Sequence, residues 1–507
     1  MSIPIFKVAL ITSEIDPFSK SGGLGDVTRS LSKALKRWGQ QIIVITPLYG
    51  KIVNKKKHQL KLVYSNVELI INSQDKVKVN YWKGYLMPDL PIYFVENKKY
   101  FSRRRQLYGS AHENARFLVF NVAALKLISL LKFNADILHC HDWQTGLIPY
   151  YLRTKFRYSK TLKGAKTVFT IHNLIFQLGH NWWEVPPEKK DYGRSRLPHL
   201  DDPNLEYINF AKRAILSADT INTVSEQYRD EILTKNFGQD LHRILRNRQN
   251  RLFGIVNGID YNTFNPANDP HLKANYSFKD FSPKIINKKY IQKKFGFSRS
   301  NKIPLLVSTS RITFQKGFEI LIKILDKILE LNLQYIILGD GDKRYIGIIK
   351  KLQKKYHHKL HWLPFTGNEK METLLYAASD IFLLPSHHEP CGINQLKAMR
   401  YGSIPIVRNV GGLHNTVENY HPDNSHSTGF VFHQFDETFL FGAIVRALEI
   451  YKHKDIWRQL ILNVMQKSNS WEIPARSHVD DGLGDEKRRN LARPALLVGP
   501  HRGLDIR

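Results

Sequence analysis

Short apolar runs alternate along the chain with longer stretches in which apolar residues recur every three or four positions. Near the amino terminus VALIT, starting at Val8, leads into the loop SEIDPFSKSGGLGD, then the periodic VTRSLSKALKRW closed by Gly39, then QIIVITP. This predicts strand, loop, helix with a glycine stop, and strand. The rhythm returns with ADILHCHD, the helical TGLIPYYLRTKF, AKTVFTIHN, and ADTINTVS ahead of a helix from Ser225. The continuous hydrophobicity of these strands predicts a parallel sheet wrapped by helices.

Around VNGIDYNTFNPANDP, starting at Val256, the pattern breaks into turn residues and a Lys-rich polar stretch, which marks a crossing between domains. A second series follows: IPLLVSTS, a helix from Phe318, QYIILGDGD, a helix through IIKKLQKKY, IFLLPS, a helix from about Gly392, and SIPIVR. The expected architecture is α/β, with two Rossmann-like, doubly wound domains, residues 1–262 and 263–477, facing a cleft. In such folds ligands bind at the carboxyl ends of the strands. From His478 onward the character changes: Arg outnumbers Lys, Gly and Pro are frequent, and no aromatic occurs. Residues 478–507 are therefore expected to stand apart from the catalytic core.

A length of 507 residues with 42% hydrophobic content suits two cores rather than one. No run approaches the roughly 18 apolar residues of a membrane span, and the amino terminus passes directly into a strand without a leader-like segment. A cytoplasmic protein without a membrane partner is expected. Cys140 and Cys391 lie far apart, with no metal or redox spacing. The net charge of +31 raises nucleic-acid binding as a rival, but the lysines are dispersed with Ile and Asn rather than gathered into a patch. No nucleic-acid partner is expected, although this charge would attract an anionic substrate.

Several loops carry candidate chemistry. Lys20-Ser21-Gly22-Gly23-Leu24-Gly25-Asp26 lies between a strand and a helix, where bare N–H groups, the helix end and the Lys20 charge suit a phosphate. A simple tight turn is the alternative. The dinucleotide fingerprint fails, because Thr28 stands at its third glycine and the second strand ends in Thr46-Pro47-Leu48-Tyr49 without a carboxylate. In Ser310-Arg311-Ile312-Thr313-Phe314-Gln315-Lys316-Gly317, Arg311 and Lys316 are two cations suited to a diphosphate, unless both are merely solvated. Glu389, in Pro385-Ser386-His387-His388-Glu389-Pro390-Cys391-Gly392, is either a grip on sugar hydroxyls or a helix cap. HCHDW, containing His139, His141 and Asp142, and TIHN, containing His172, close two predicted strands of the first domain. No helical HxxxH pair supports a metal there. Asp340-Gly341-Asp342 has a DxD spacing, but a turn at a strand end accounts for it, so no metal is expected.

Taken in order, KSGGLGDV, HCHDWQTG, TIHN, VNGID, STSRITFQKG, LPSHHEPCG and IPIVRNVGGL closely resemble the bacterial glycogen synthase and plant starch synthase family, from about residue 6 to about residue 477. The resemblance implies the GT-B architecture and a retaining transfer of glucose from ADP-glucose to the non-reducing end of an α-1,4-glucan, with no metal or cofactor. It implies donor-phosphate contacts at Lys20 and Gly23, and diphosphate cations at Arg311 and Lys316. A grip on the glucosyl unit is implied for Glu389, Cys391 and Gly392, and a contact near the reacting sugar for Asn257. Asp142, His172 and Tyr108 fall on the glucosyl and acceptor side. Asn415 and Ser427 depart from the family pattern. After Ser470-Trp471-Glu472 the family continues into a Tyr-rich helix that packs back across the first domain, whereas this chain turns to HVDDGLGDEKRRN.

Overall fold

The computed structural model describes residues 4–482 except 110–111, 178, 180–183, 367 and 369. Two sheets organise the chain. The first contains β1 (Lys7–Ile11), β2 (Gln41–Pro47), β3 (Lys61–Ile70), β4 (Lys76–Met87), β5 (Leu90–Glu96), β6 (Ile137–His141), β7 (Lys166–Ile171), β8 (Thr220–Thr223) and β9 (Leu252–Gly254). Their order is β3-β4-β5-β2-β1-β6-β7-β8-β9. The second contains β10 (Leu305–Thr309), β11 (Gln334–Leu338), β12 (Leu360–Leu363), β13 (Ile381–Leu384), β14 (Ile404–Arg408) and β15 (Phe430–Phe432), in the order β12-β11-β10-β13-β14-β15.

The first βα unit follows its sequence closely. Helix Gly23–Arg37 buries Leu24, Val27, Leu31, Ala34 and Leu35, a three-and-four spacing that puts one face on the sheet. It ends where Gly39 takes φ 82°, a left-handed conformation that halts the helix without a Cβ clash. Helix Glu113–Leu130 is apolar nearly all round and lies buried along most of its length, as its composition requires.

The first sheet is not purely parallel. β3 pairs with β4, and β4 with β5, in antiparallel register, while β5 joins β2 in parallel. In β4 the buried Val79 and Tyr81 alternate with the more exposed Lys78 and Asn80, the period of a strand with one wet face. The expected continuous apolar run is absent there, so the strand rhythm of the βα units does not reveal this extension.

The chain crosses between the sheets twice, at adjacent points. Ile259 N donates to Asn469 O at 2.8 Å, and a Cβ on Gly258 would come within 2.6 Å of the Ser470 carbonyl. The returning segment ends in helix Glu472–Gly482, which packs against helix Gly23–Arg37 and β7. Trp471 and Ala475 belong to the hydrophobic core of the first sheet. His478, the first residue of the segment expected to stand apart, is buried with its ring 5.4 Å from that of His139. Residues 479–482 of that segment complete the same helix, and residues 483–507 lie outside the described residues.

Candidate active site

Among the parallel strands each sheet reverses its order once, between β1 and β6 in the first and between β10 and β13 in the second. Loops leaving adjacent strands in opposite directions open a crevice at such a point. The four richest loops of the sequence leave these four strands: the glycine loop after β1, His-Asp-Trp after β6, the Arg311–Lys316 segment after β10 and the Glu389 segment after β13.

In the first domain Glu14 organises the glycine loop. Its carboxylate accepts from Ser21 N at 2.5 Å, from Ser21 Oγ at 3.1 Å and from the Tyr108 hydroxyl at 3.1 Å. Tyr108 also shares a 2.8 Å hydrogen bond with Ser13. Burial raises the Glu14 pKa, opposed by the bonds from Ser21 and Tyr108. Sequence reasoning missed Glu14; the available signal was a carboxylate immediately after a buried strand. Lys20 is exposed and pairs with Asp26 at 2.6 Å. The part of the side chain that is covered opposes its charge, but Asp26 and more distant carboxylates prevail and raise its pKa.

Asp142 turns the chain at the end of β6 with φ 57°, and its carboxylate accepts from His172 N at 2.8 Å. Burial lifts its pKa to about 7, partly offset by hydrogen bonds from the His172 and Asn173 backbone. His172 is half-buried, and its Nε2 lies 2.9 Å from His141 Nδ1. Burial drives its pKa down to about 3, so the ring is neutral at physiological pH.

In the second domain the loops after β10 and β13 are pressed together. Gly317 takes φ 81°, and a Cβ there would lie 1.9 Å from Pro385 O. The contact brings Lys316 Nζ into an ion pair with the Glu389 carboxylate, which also accepts from Ser386 Oγ at 3.1 Å. Arg311, by contrast, is exposed and has no ion pair among the described residues. Behind Glu389, Gly412 N donates to Glu389 O at 3.0 Å, and a Cβ on Gly411 would lie 2.0 Å from that oxygen. The glycine pair after β14 is therefore a wall for the Glu389 loop. Cys391 and Asn257 meet in the interior; burial pushes the Cys391 thiol up to about 12, partly offset by hydrogen bonds from Asn257. Gly392 is buried with φ 73°.

The two halves touch. A Cβ on Gly23 would come within 3.3 Å of Ile393 Cδ1, and Lys397 Nζ lies 3.9 Å from Asp26. Ser225 Oγ donates to Pro390 O at 2.6 Å, Gly411 N to Glu231 Oε1 at 2.8 Å, and Gln227 N to Asn415 Oδ1 at 3.0 Å. Asn415, one of the departures from the family pattern, thus holds a domain contact. Sequence reasoning missed Ser225 and Glu231, whose partners are close only in three dimensions. Asp342 caps helix Lys343–Lys355 through Arg344 N at 2.8 Å and pairs with the Arg344 guanidinium, while Asp340 accepts from Thr366 N at 3.0 Å. Both carboxylates of the DxD spacing thus have local structural partners.

A family profile described as starch synthase catalytic domain matches residues 7–247, and one described as glycosyl transferases group 1 matches residues 291–460. The glycogen synthase of Pseudothermotoga lettingae is 37% identical over 486 residues, covering 93% of this chain and 97% of that protein. That of Clostridium perfringens is 39% identical over 484 residues, covering 94% and 97%. Among solved structures, the catalytic domain of starch synthase IV from Arabidopsis thaliana bound to ADP and acarbose has a TM-score of 0.84 at 32% identity, covering 97% of this chain and 100% of that one. A sucrose-phosphate synthase from Thermosynechococcus elongatus, at TM-score 0.59 and 17% identity over 93% of this chain and 97% of that one, shares the fold.

Proposed function

The chain belongs to the glycogen synthase and starch synthase family and is a hexosyltransferase of GT-B fold, and from that premise we propose that it moves glucose from ADP-glucose to the non-reducing end of an α-1,4-glucan with retention of configuration. The observation that carries the proposal is the meeting of Lys316 and Glu389 at the strand-order reversal of the second sheet and across from the glycine loop of the first, with Arg311, which has no ion pair among the described residues, on the same loop as Lys316. The Arabidopsis relative, solved with ADP and acarbose bound, supports a nucleoside diphosphate and a glucan-like ligand.

Residues 263–477 hold the donor and residues 1–262 the acceptor. Arg311 offers a planar fork and Lys316 a compact charge to the diphosphate, with Lys20 and the backbone at Gly23 approaching from the other side. As the glycosidic bond to the phosphate oxygen lengthens, negative charge grows on the diphosphate, and these fixed cations stabilise that state more than the ground state. Glu389, with Cys391 and Gly392, grips the glucosyl hydroxyls, and Asn257 lies close to the reacting sugar. Asp142, His172 and Tyr108 line the glucosyl and acceptor side. The charge relief comes from side chains and helix ends, so the transfer requires no divalent ion.

The deciding experiment incubates the purified chain with labelled ADP-glucose or UDP-glucose and a glycogen primer, with and without chelator, and measures label in polymer. Incorporation from ADP-glucose that persists in chelator is expected. Incorporation from UDP-glucose alone would overturn the donor assignment. Loss in chelator with rescue by magnesium would overturn the metal-independent scheme.

A further inference from the structure

Four histidines form a continuous series of ring contacts from the candidate site into the protein. His139 and His141, two residues apart on β6, point to one face with ring centroids 4.2 Å apart. His141 and His172 are 5.2 Å apart between centroids, and His478 approaches His139 from the returning helix. Only His172 belongs to the site described above. His141 is fully buried, yet its Nε2 has no hydrogen-bond partner among the described residues, while its Nδ1 lies 2.9 Å from His172 Nε2.

We propose that His141 is a positioning residue which donates through Nδ1–H to His172 Nε2, so that His172 presents Nδ1–H to the bound sugar as a neutral hydrogen-bond donor. The proposal rests on the placement of His172 at the glucosyl side. Two proton arrangements satisfy the short contact between the rings. If His141 carried its hydrogen on Nε2, that N–H would be sealed in the interior with no acceptor among the described residues, the rarer and costlier failure of hydrogen bonding. With the hydrogen on Nδ1, the sealed Nε2 is a bare lone pair and the N–H is spent on His172. The His172 Nε2 must then accept, which leaves its proton on Nδ1.

Two further contacts make the arrangement a clamp. Asp142, the residue after His141, holds the His172 backbone N–H, so adjacent residues fix the main chain and the ring of His172 separately. On its other side His141 is backed by the His139 ring, whose Nε2 is bonded to Thr170 Oγ1 at 2.7 Å. Burial and the neighbouring imidazoles keep His141 neutral, so it holds a single proton to place.

The test combines ring-nitrogen NMR of 15N-histidine-labelled enzyme, with the His172 signals assigned by their loss in His172→Gln, and initial rates of glucose transfer. Native enzyme should show His172 protonated at Nδ1 and bare at Nε2. His141→Leu should shift that proton toward Nε2 and lower kcat on the order of tenfold, as expected for a misplaced contact group, with KM for donor little changed. His141→Asn, whose amide can donate from about the position of Nδ1, should restore both the Nδ1–H form and most of kcat. A native His172 protonated at Nε2 would overturn the proposal, as would native turnover in His141→Leu or folded His141→Asn that performs no better than His141→Leu. Undiminished transfer by His172→Ala would instead remove the site reading and the catalytic consequence with it, whereas the spectrum alone decides the proton's position.

Discussion

Because Lys316 and Glu389 share an ion pair, replacing Glu389 should tighten nucleotide binding while damaging turnover. Treated as separate motifs, the two residues would act independently, with nucleotide affinity indifferent to Glu389. The ion pair, with side chains 17% and 7% exposed, couples them. Two unit charges 4 Å apart attract by about 4 kcal/mol at an effective dielectric of 20. Desolvation and the competing bond from Ser386 reduce the net coupling to about 1–3 kcal/mol, the upper part of the usual range for contacting residues. In Glu389→Gln the side-chain volume and an acceptor remain, but Lys316 is released toward the phosphates. ADP affinity should rise about tenfold, equivalent to about 1.4 kcal/mol, while kcat falls about a hundredfold through the lost grip on the glucosyl unit. Lys316→Ala should lower both, and the double variant should show non-additivity of about 1–3 kcal/mol in ADP binding. Titration calorimetry with ADP and initial rates of label incorporation measure these quantities. Weaker ADP binding in Glu389→Gln, or single effects that add within about 0.5 kcal/mol, would refute the coupling.

Arg311→Ala should lower ADP affinity and reduce kcat about a hundredfold with little change in melting temperature, because the residue is exposed and has no ion pair among the described residues; normal kcat and affinity would misplace the donor site. Gly317→Ala should destabilise the second domain by more than about 3 kcal/mol, since its Cβ would lie 1.9 Å from Pro385 O at a positive φ; a native melting temperature would contradict the packing of the two loops. The Asp142 pKa of about 7 lies above the unfolded value of about 3.9, so the folded chain holds this proton over that window. The stability it confers is complete below about pH 4, declines as pH rises to about 7 and is flat beyond. Asp142→Asn should lack this slope, and its melting temperature relative to the parent should rise between pH 5 and 7. Ser225→Ala removes both the bond to Pro390 O and the cap on Tyr228 N at 3.1 Å, and should cost about 1–2 kcal/mol in urea unfolding.

The amino-acid sequence alone determined the βα rhythm and the loops that carry charge and glycine, and it marked the turn-rich stretch from Val256 to Pro270 as a break between two βα series. Each of these depends on residues within a dozen positions of one another: an apolar run for a buried strand, a three-and-four spacing for a helix, and Gly39 for its end. The antiparallel β3–β4–β5 extension was not legible, because strands with one wet face lack the continuous apolar run that marked the others. Strand order was not legible either. The sequence lists the glycine loop, HCHDW, SRITFQKG and HHEPCG far apart, and only pairing of β1 with β6 and of β10 with β13 brings them to two facing crevices. The same limit hid the roles of Glu14, Ser225, Glu231 and His141. Each is an ordinary polar residue in its local context, and each gains a task only through a partner supplied by the fold: the glycine loop and Tyr108, the Pro390 carbonyl, the Gly411 amide, and the His172 ring. Local patterning reports the backbone's own preferences, whereas a hydrogen bond between distant residues exists only once tertiary packing has closed the distance and removed competing water.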